Sequence, residues 1–149
     1  MAKRILVPLS QVEAAESFVD AVAALARGAG ATVRLLHVAA PTTNLVDTEG
    51  RVLAYADQET RRVEAEARDY LETIAIALDD LPVELAVRFG DVAQEILTEA
   101  EDFGADLIVL GIRRRRRLQL RGGIVTQILR RSDAPVALLR AGRHEAGGA

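Results

Sequence analysis

The stretch from Asp106 to Arg140 constrains the fold of this chain more than any other. It reads as a buried strand (Leu107–Leu110), a basic loop, a glycine-opened helix (about Gly122–Ser132) and a second strand (Val136–Leu139). Strand, loop, helix and strand in that order form a β-α-β unit. In such units a ligand sits where the first strand ends and the helix begins, because unpaired backbone N–H groups point outward there. Five consecutive arginines, Arg113–Arg117, occupy that loop.

The rest of the chain repeats the alternation. Arg4–Leu9 is a short apolar strand closing on Pro8, which a strand end tolerates where the missing N–H is not needed by the ladder. Ser10 and Glu13 carry a capping-box pattern before a helix with apolar residues at Ala15, Phe18, Val19, Val22, Leu25 and Ala26, ended by Gly28 and Gly30. Thr32–Ala39 is a second strand, and Ala40–Gly50 a polar loop. A long helix over about Leu53–Leu78 turns Val63, Ala67, Tyr70, Leu71, Ile74 and Leu78 to one face and a charged face to solvent. Pro82–Arg88 is a third strand. Gly90-Asp91 opens a helix to Phe103 with Val92, Ile96, Ala100 and Phe103 inward.

Five strands alternating with four helices predict an α/β fold, a mostly parallel sheet with right-handed crossovers and helices on both faces. A length of 149 residues suits one domain over 1–140, with Ala141–Ala149 an aperiodic tail expected to be disordered. Half the residues are hydrophobic and 3% aromatic, so the core is aliphatic, as parallel strands require.

Several chemistries are excluded by composition. There is no cysteine, hence no disulfide, thiolate or cysteine-zinc site. Lys3 is the only lysine against eighteen arginines, which removes a phosphate-loop lysine and a mid-chain Schiff base. A net charge of −3 gives no global attraction to nucleic acid, and the arginine run lacks neighbouring aromatic side chains for stacking. Neither a signal peptide nor a membrane-length run is present, so a cytoplasmic protein is expected.

The segments ILVPLS, GDVAQEILTEAEDFGADLIVLG and RRSDAPVALLR resemble the universal stress protein family over about Lys3–Arg140. The resemblance implies an adenine-nucleotide alpha-hydrolase-like sheet ordered 3-2-1-4-5, and a homodimer paired through the last strand, here Val136–Leu139. Many family members bind ATP with glycine, two residues, glycine, nine residues, then glycine followed by serine or threonine. Gly111 matches the first position. The second falls on Arg114, and Gly122-Gly123 come two residues early, with Gly123 in place of the hydroxyl residue. Nucleotide-binding members end the first strand in an aspartate near the adenosine; Ser10 or Leu9 stands there. Val38 and Ala39 match the positions whose backbone contacts adenine.

Two readings of the basic loop follow. In one, Arg113, Arg114 and Arg121 with Gly122 and Gly123 form a replacement site for a small anion or for the phosphates of ATP, since guanidinium binds phosphate oxygens bidentately. In the other, the run is a solvated loop with no cofactor, because like charges repel and stay exposed. A third use is docking to an acidic surface or the dimer mate. The remaining candidates read as structural: His37 as a satisfied core histidine, Asp91 as a cap, and Asp106 as a residue at the end opposite the crevice. With His144 as the other histidine, no metal pair is formed, and no residue set marks an enzyme.

Overall fold

The computed structural model describes residues 3–10, 16–42, 45–46, 48–113 and 123–141. Its elements are β1 (Arg4–Pro8), α1 (Glu16–Ala29), β2 (Thr32–Ala39), β3 (Leu45–Val46), β4 (Val52–Ala54), α2 (Ala56–Ile76), β5 (Val83–Phe89), α3 (Val92–Phe103), β6 (Leu107–Arg113), α4 (Ile124–Arg131) and β7 (Val136–Ala141). The main sheet is parallel throughout, in the order β5-β2-β1-β6-β7. Counting the five long strands along the chain, that is 3-2-1-4-5, as the resemblance implied.

β1 lies at the centre because both of its faces are apolar. Ile5 and Val7 point into a layer formed by α1 and α2, with Phe18, Val22, Ala26, Leu71 and Ile74. Leu6 points the other way, against Ile96, Ala100 and Phe103 of α3 and Ile128 of α4. All three are at most 1% exposed. Burial of this kind stabilises by about 1.5–3 kcal/mol per aliphatic side chain.

Two expected structural residues behave as such. Asp106 Oδ2 accepts from the N–H groups of Lys3 and Arg4, each at 3.0 Å, and ties β1 to the start of β6 at the edge away from the strand tips. Asp91 caps α3 by accepting from Gln94 N at 3.0 Å. Gly104 ends α3 in the left-handed region, where a glycine carries no steric penalty.

Four expectations need correction. The loop over Ala40–Gly50 contains an antiparallel pair, β3 with β4, turned at Gly50 with φ +84. The α2 helix accordingly starts at Ala56, not Leu53, and ends at Ile76, with Leu78 buried in the turn that follows. Leu53 and Ala54 belong to β4, a run short enough to satisfy either period. Gly28 lies inside α1, and Gly30 alone takes the left-handed conformation beyond it. β6 continues to Arg113 and β7 to Ala141, so Arg113 belongs to a strand and Ala141 is not tail. Of the capping box expected of Ser10 and Glu13, Glu13 lies outside the described residues, as does the tail over 142–149.

A charged cluster went unread in the sequence. Glu99 of α3 is 5% exposed and is met by two arginines, one from each of two adjacent strands. Arg34 of β2 bonds it, and Arg88 of β5 bonds it at 2.5 Å. Arg34 also pairs with Glu84 at 2.7 Å, and Arg88 with Glu95 at 3.0 Å and Asp102 at 2.6 Å. The Arg34 guanidinium lies 4.1 Å from the centroid of the Phe103 ring. Arg34 and Arg88 have the same strand parity, and the α3 acids recur at helical spacing, so the signal existed. Only the β2–β5 register brought the two sets together.

Burial alone would raise the Glu99 carboxyl, but hydrogen bonds from Arg88 and Arg34 outweigh it and hold it below its ordinary 4.5. A folded value below the unfolded one adds stability that is complete above pH 4.5 and is lost as pH falls through the folded value. Glu99→Gln should therefore cost on the order of 3 kcal/mol at pH 7, because one member of a buried charge set is removed while Arg34 and Arg88 keep other partners. The deficit should shrink on acidification. Urea unfolding of both proteins between pH 7 and pH 3 measures it; a deficit constant with pH would contradict the assignment.

Candidate functional site

The open end of the β1–β6 ladder follows from a missing N–H. Odd-numbered residues of β1 direct their backbone groups to β2, as in Thr32 N to Lys3 O at 2.8 Å and Leu9 N to Leu36 O at 2.7 Å. Even-numbered residues therefore face β6. The next rung beyond Leu6↔Ile108 would need an N–H from Pro8, which has none. The β1–β6 register stops there, while β1–β2 runs on to Pro8↔Leu36 and β6–β7 to Arg113↔Ala141. The gap lies between the central strand and the strand at which sheet order reverses, where open α/β sheets bind ligands.

Five expected site residues gather at these strand tips. Leu9 is buried and Ser10 exposed at the end of β1. Val38 and Ala39 end β2 beside them, with Ala39 O accepting from Gly90 N at 3.0 Å. Gly111 lies in β6 three residues past Ile108, level with Leu9 three residues past Leu6, and is paired with Leu139 on its other side. Arg113 is the last residue of β6. Arg114, Arg121 and Gly122 fall outside the described residues.

Gly123 is the N-cap of α4, with φ −78 and ψ −173 and no side-chain hydrogen bond to the first turn. Its carbonyl accepts from Gln127 N at 3.0 Å, which starts the helix. Arg130 and Arg131 sit in the last turn, where they complement the helix dipole. The sequence placed this helix start correctly to within two residues.

His37 is satisfied, as expected, but by a partner that matters. Its Nδ1 donates to Leu9 O at 2.9 Å, and the hydroxyl of Tyr70 from α2 donates to Ser10 O. The two rings meet edge to face, 6.0 Å apart at 75°. The sequence assigned Tyr70 only to the inner stripe of its helix; its hydroxyl contact was not legible. Among the described residues no group of three or more His, Cys, Asp or Glu side chains could hold a metal ion, and no helix is long and apolar enough to cross a membrane.

A parallel sheet ordered 3-2-1-4-5 with its switch point between β1 and β6 defines a doubly wound α/β protein. The chain belongs to the universal stress protein family, whose profile matches residues 1–140. It is similar to universal stress protein G of Shigella flexneri, 28% identical over 145 residues that cover 94% of this chain and all of that one. Its fold matches a universal stress protein in complex with cAMP, at TM-score 0.66 and 16% identity over 93% of this chain and 97% of the other. It also matches the universal stress protein from Archaeoglobus fulgidus in complex with dAMP, at TM-score 0.63 and 18% identity, covering 91% and 96%.

Placing a cap hydroxyl at position 123 tests the helix start. Gly123 has an extended φ that any residue adopts, so Gly123→Ser should supply the cap oxygen and raise stability by a few tenths of a kcal/mol. A urea midpoint that falls would show that the position cannot take a side chain.

Proposed function

We propose that this chain is a non-catalytic, cytoplasmic stress-response protein that regulates by binding, and that it does not hold ATP in a glycine cradle. The observation that carries this reading lies just past Gly111. There β6 continues as strand, with Ile112 and Arg113 in register with Arg140 and Ala141 of β7. A phosphate cradle needs a turn of free N–H groups at that point. Two further features support the reading: Arg114 stands where the motif has its second glycine, and Gly123 stands where it has a hydroxyl.

A second reading is favoured by the parting of the β1 and β6 strand tips and by universal stress proteins of the same fold described in complex with cAMP and dAMP. In it an adenine nucleotide lies across Leu9–Ser10, Val38–Ala39 and Gly111, and guanidinium groups of Arg113, Arg114 and Arg121 meet its phosphate beside Gly122–Gly123. Charge-assisted contacts of this kind weaken with salt where they are exposed.

Calorimetry with ATP, ADP, AMP and cAMP at low and physiological salt separates the two. The first reading expects ATP to bind no more tightly than AMP, and Arg114→Gly combined with Gly123→Ser to raise ATP affinity at least tenfold. Saturable ATP binding well below millimolar concentration by the unaltered chain would overturn it and support the second.

The same reading includes a homodimer paired through β7. That strand bonds only β6 among the described residues, carries apolar Val136–Leu139, and leaves Leu138 38% exposed. An apolar open edge invites strand pairing. Ile108 N donates to Pro135 O, so odd-numbered residues of β7 face β6 and Leu138 N–H points outward. Leu138→Pro should spare the internal ladder and break the pairing. Sedimentation at high micromolar concentration should give a dimer for the unaltered chain and a monomer for the variant; a monomer for both removes the dimer.

A further inference from the structure

Past Leu6 the tip of β1 has lost its partner on one side. Pro8 offers no N–H to β6, and the Leu9 N–H to Leu36 O bond holds the strand on the β2 side only. Beyond that bond, the backbone of Leu9 and Ser10 is gripped by side chains from two other elements. His37 of β2 donates from Nδ1 to Leu9 O at 2.9 Å, and Tyr70 of α2 donates from its hydroxyl to Ser10 O. Nδ1 must therefore carry the proton, in the neutral tautomer as in the cation. The edge-to-face contact at 6.0 Å braces the two donors against each other.

We propose that His37 and Tyr70 are positioning residues for the crevice: they latch the Leu9–Ser10 backbone to β2 and α2 and so fix the wall that an adenine-type ligand meets. The proposal rests on the second reading, in which the strand tips are the ligand site, and it deepens that reading by naming what holds their wall. Neither side chain needs to touch the ligand. Past Pro8 the strand tip has no ladder bond to β6, and a ligand binding a wall that moves must order it first. Two side-chain donors remove that freedom before binding. Tyr70 links the wall to α2, which packs Leu71 and Ile74 into the core beside it.

Three variants test it. Tyr70→Phe keeps the ring against His37 and removes the hydroxyl donor. His37→Leu removes the imidazole donor, and His37→Asn returns a short side-chain N–H close to the place of Nδ1. Hydrogen exchange of the Leu9 amide, which bonds Leu36 O, AMP affinity by calorimetry and urea unfolding are measured on each full-length protein. Exchange should quicken and AMP affinity fall by about fivefold in Tyr70→Phe and in His37→Leu, the worth of one hydrogen bond. His37→Asn should return both to within about twofold of the unaltered chain, whatever its urea midpoint.

AMP affinity unchanged in Tyr70→Phe and His37→Leu overturns the positioning role. So does His37→Asn behaving like His37→Leu, since packing volume rather than the donor would then be what counts. If the unaltered chain binds no AMP, the crevice reading itself falls and the positioning role with it. The exchange measurement still reports separately whether the latch holds the strand tip.

Discussion

The fold depends on β1 being apolar on both faces while donating to both neighbours in strict alternation. Ile5 and Val7 hold the α1–α2 layer and Leu6 holds the α3–α4 layer, so a single short strand joins the two halves of the core. The same alternation decides where the sheet is open. Because even-numbered residues serve β6, the one N–H that proline removes is taken from that side. A proline one residue earlier or later would remove a bond to β2 and leave the switch point closed. The point at which β1 parts from β6 is thus set by residue parity, through one imino acid at the end of a buried strand.

The two edges of the sheet are treated differently by the chain. At the β5 edge, Glu84 and Arg88 are drawn into a set of ion pairs centred on Glu99, which locks the edge strand to α3 and to β2. Charges committed in this way blunt an edge. At the β7 edge, Val136 to Leu139 carry no charge at all. Buried charge is expensive, and a carboxylate in this position is tolerated because both arginines reach it with hydrogen bonds. The asymmetry fits a molecule with one face closed to strand pairing and one left open.

On the proposed reading, the chain keeps at the strand tips the part of the architecture that a base or a small ring would meet and changes the part that a triphosphate would meet. Leu9, Ser10, Val38, Ala39 and Gly111 lie together at the strand tips. After Gly111 the backbone stays in the ladder, and guanidinium side chains take the place of glycine in the sequence that follows. Backbone N–H groups form a cradle of fixed shape, whereas arginine side chains carry charge on long stems without that shape. Exchanging one for the other alters which anions are favoured even where total charge attraction is greater.

Alternation of apolar runs with amphipathic stretches was enough, in the sequence alone, to give the α/β class, all five long strands and the four helices, and the matching family segments gave their order. It also identified Asp91 as a cap, Asp106 as structural and His37 as a satisfied histidine, because each of those roles is local or follows from the end of the strand on which it lies. It did not give the β3–β4 hairpin, since two or three apolar residues fit a helix as well as a strand, nor the extension of β6 through Arg113, since a strand is prolonged by its neighbour's register. The Glu99 cluster and the grip of Tyr70 on Ser10 belong wholly to tertiary structure: the first joins residues 65 and 11 positions apart and the second residues 60 apart. Periodicity records which face of an element is buried; only the packing of one element on another decides which polar atoms meet there.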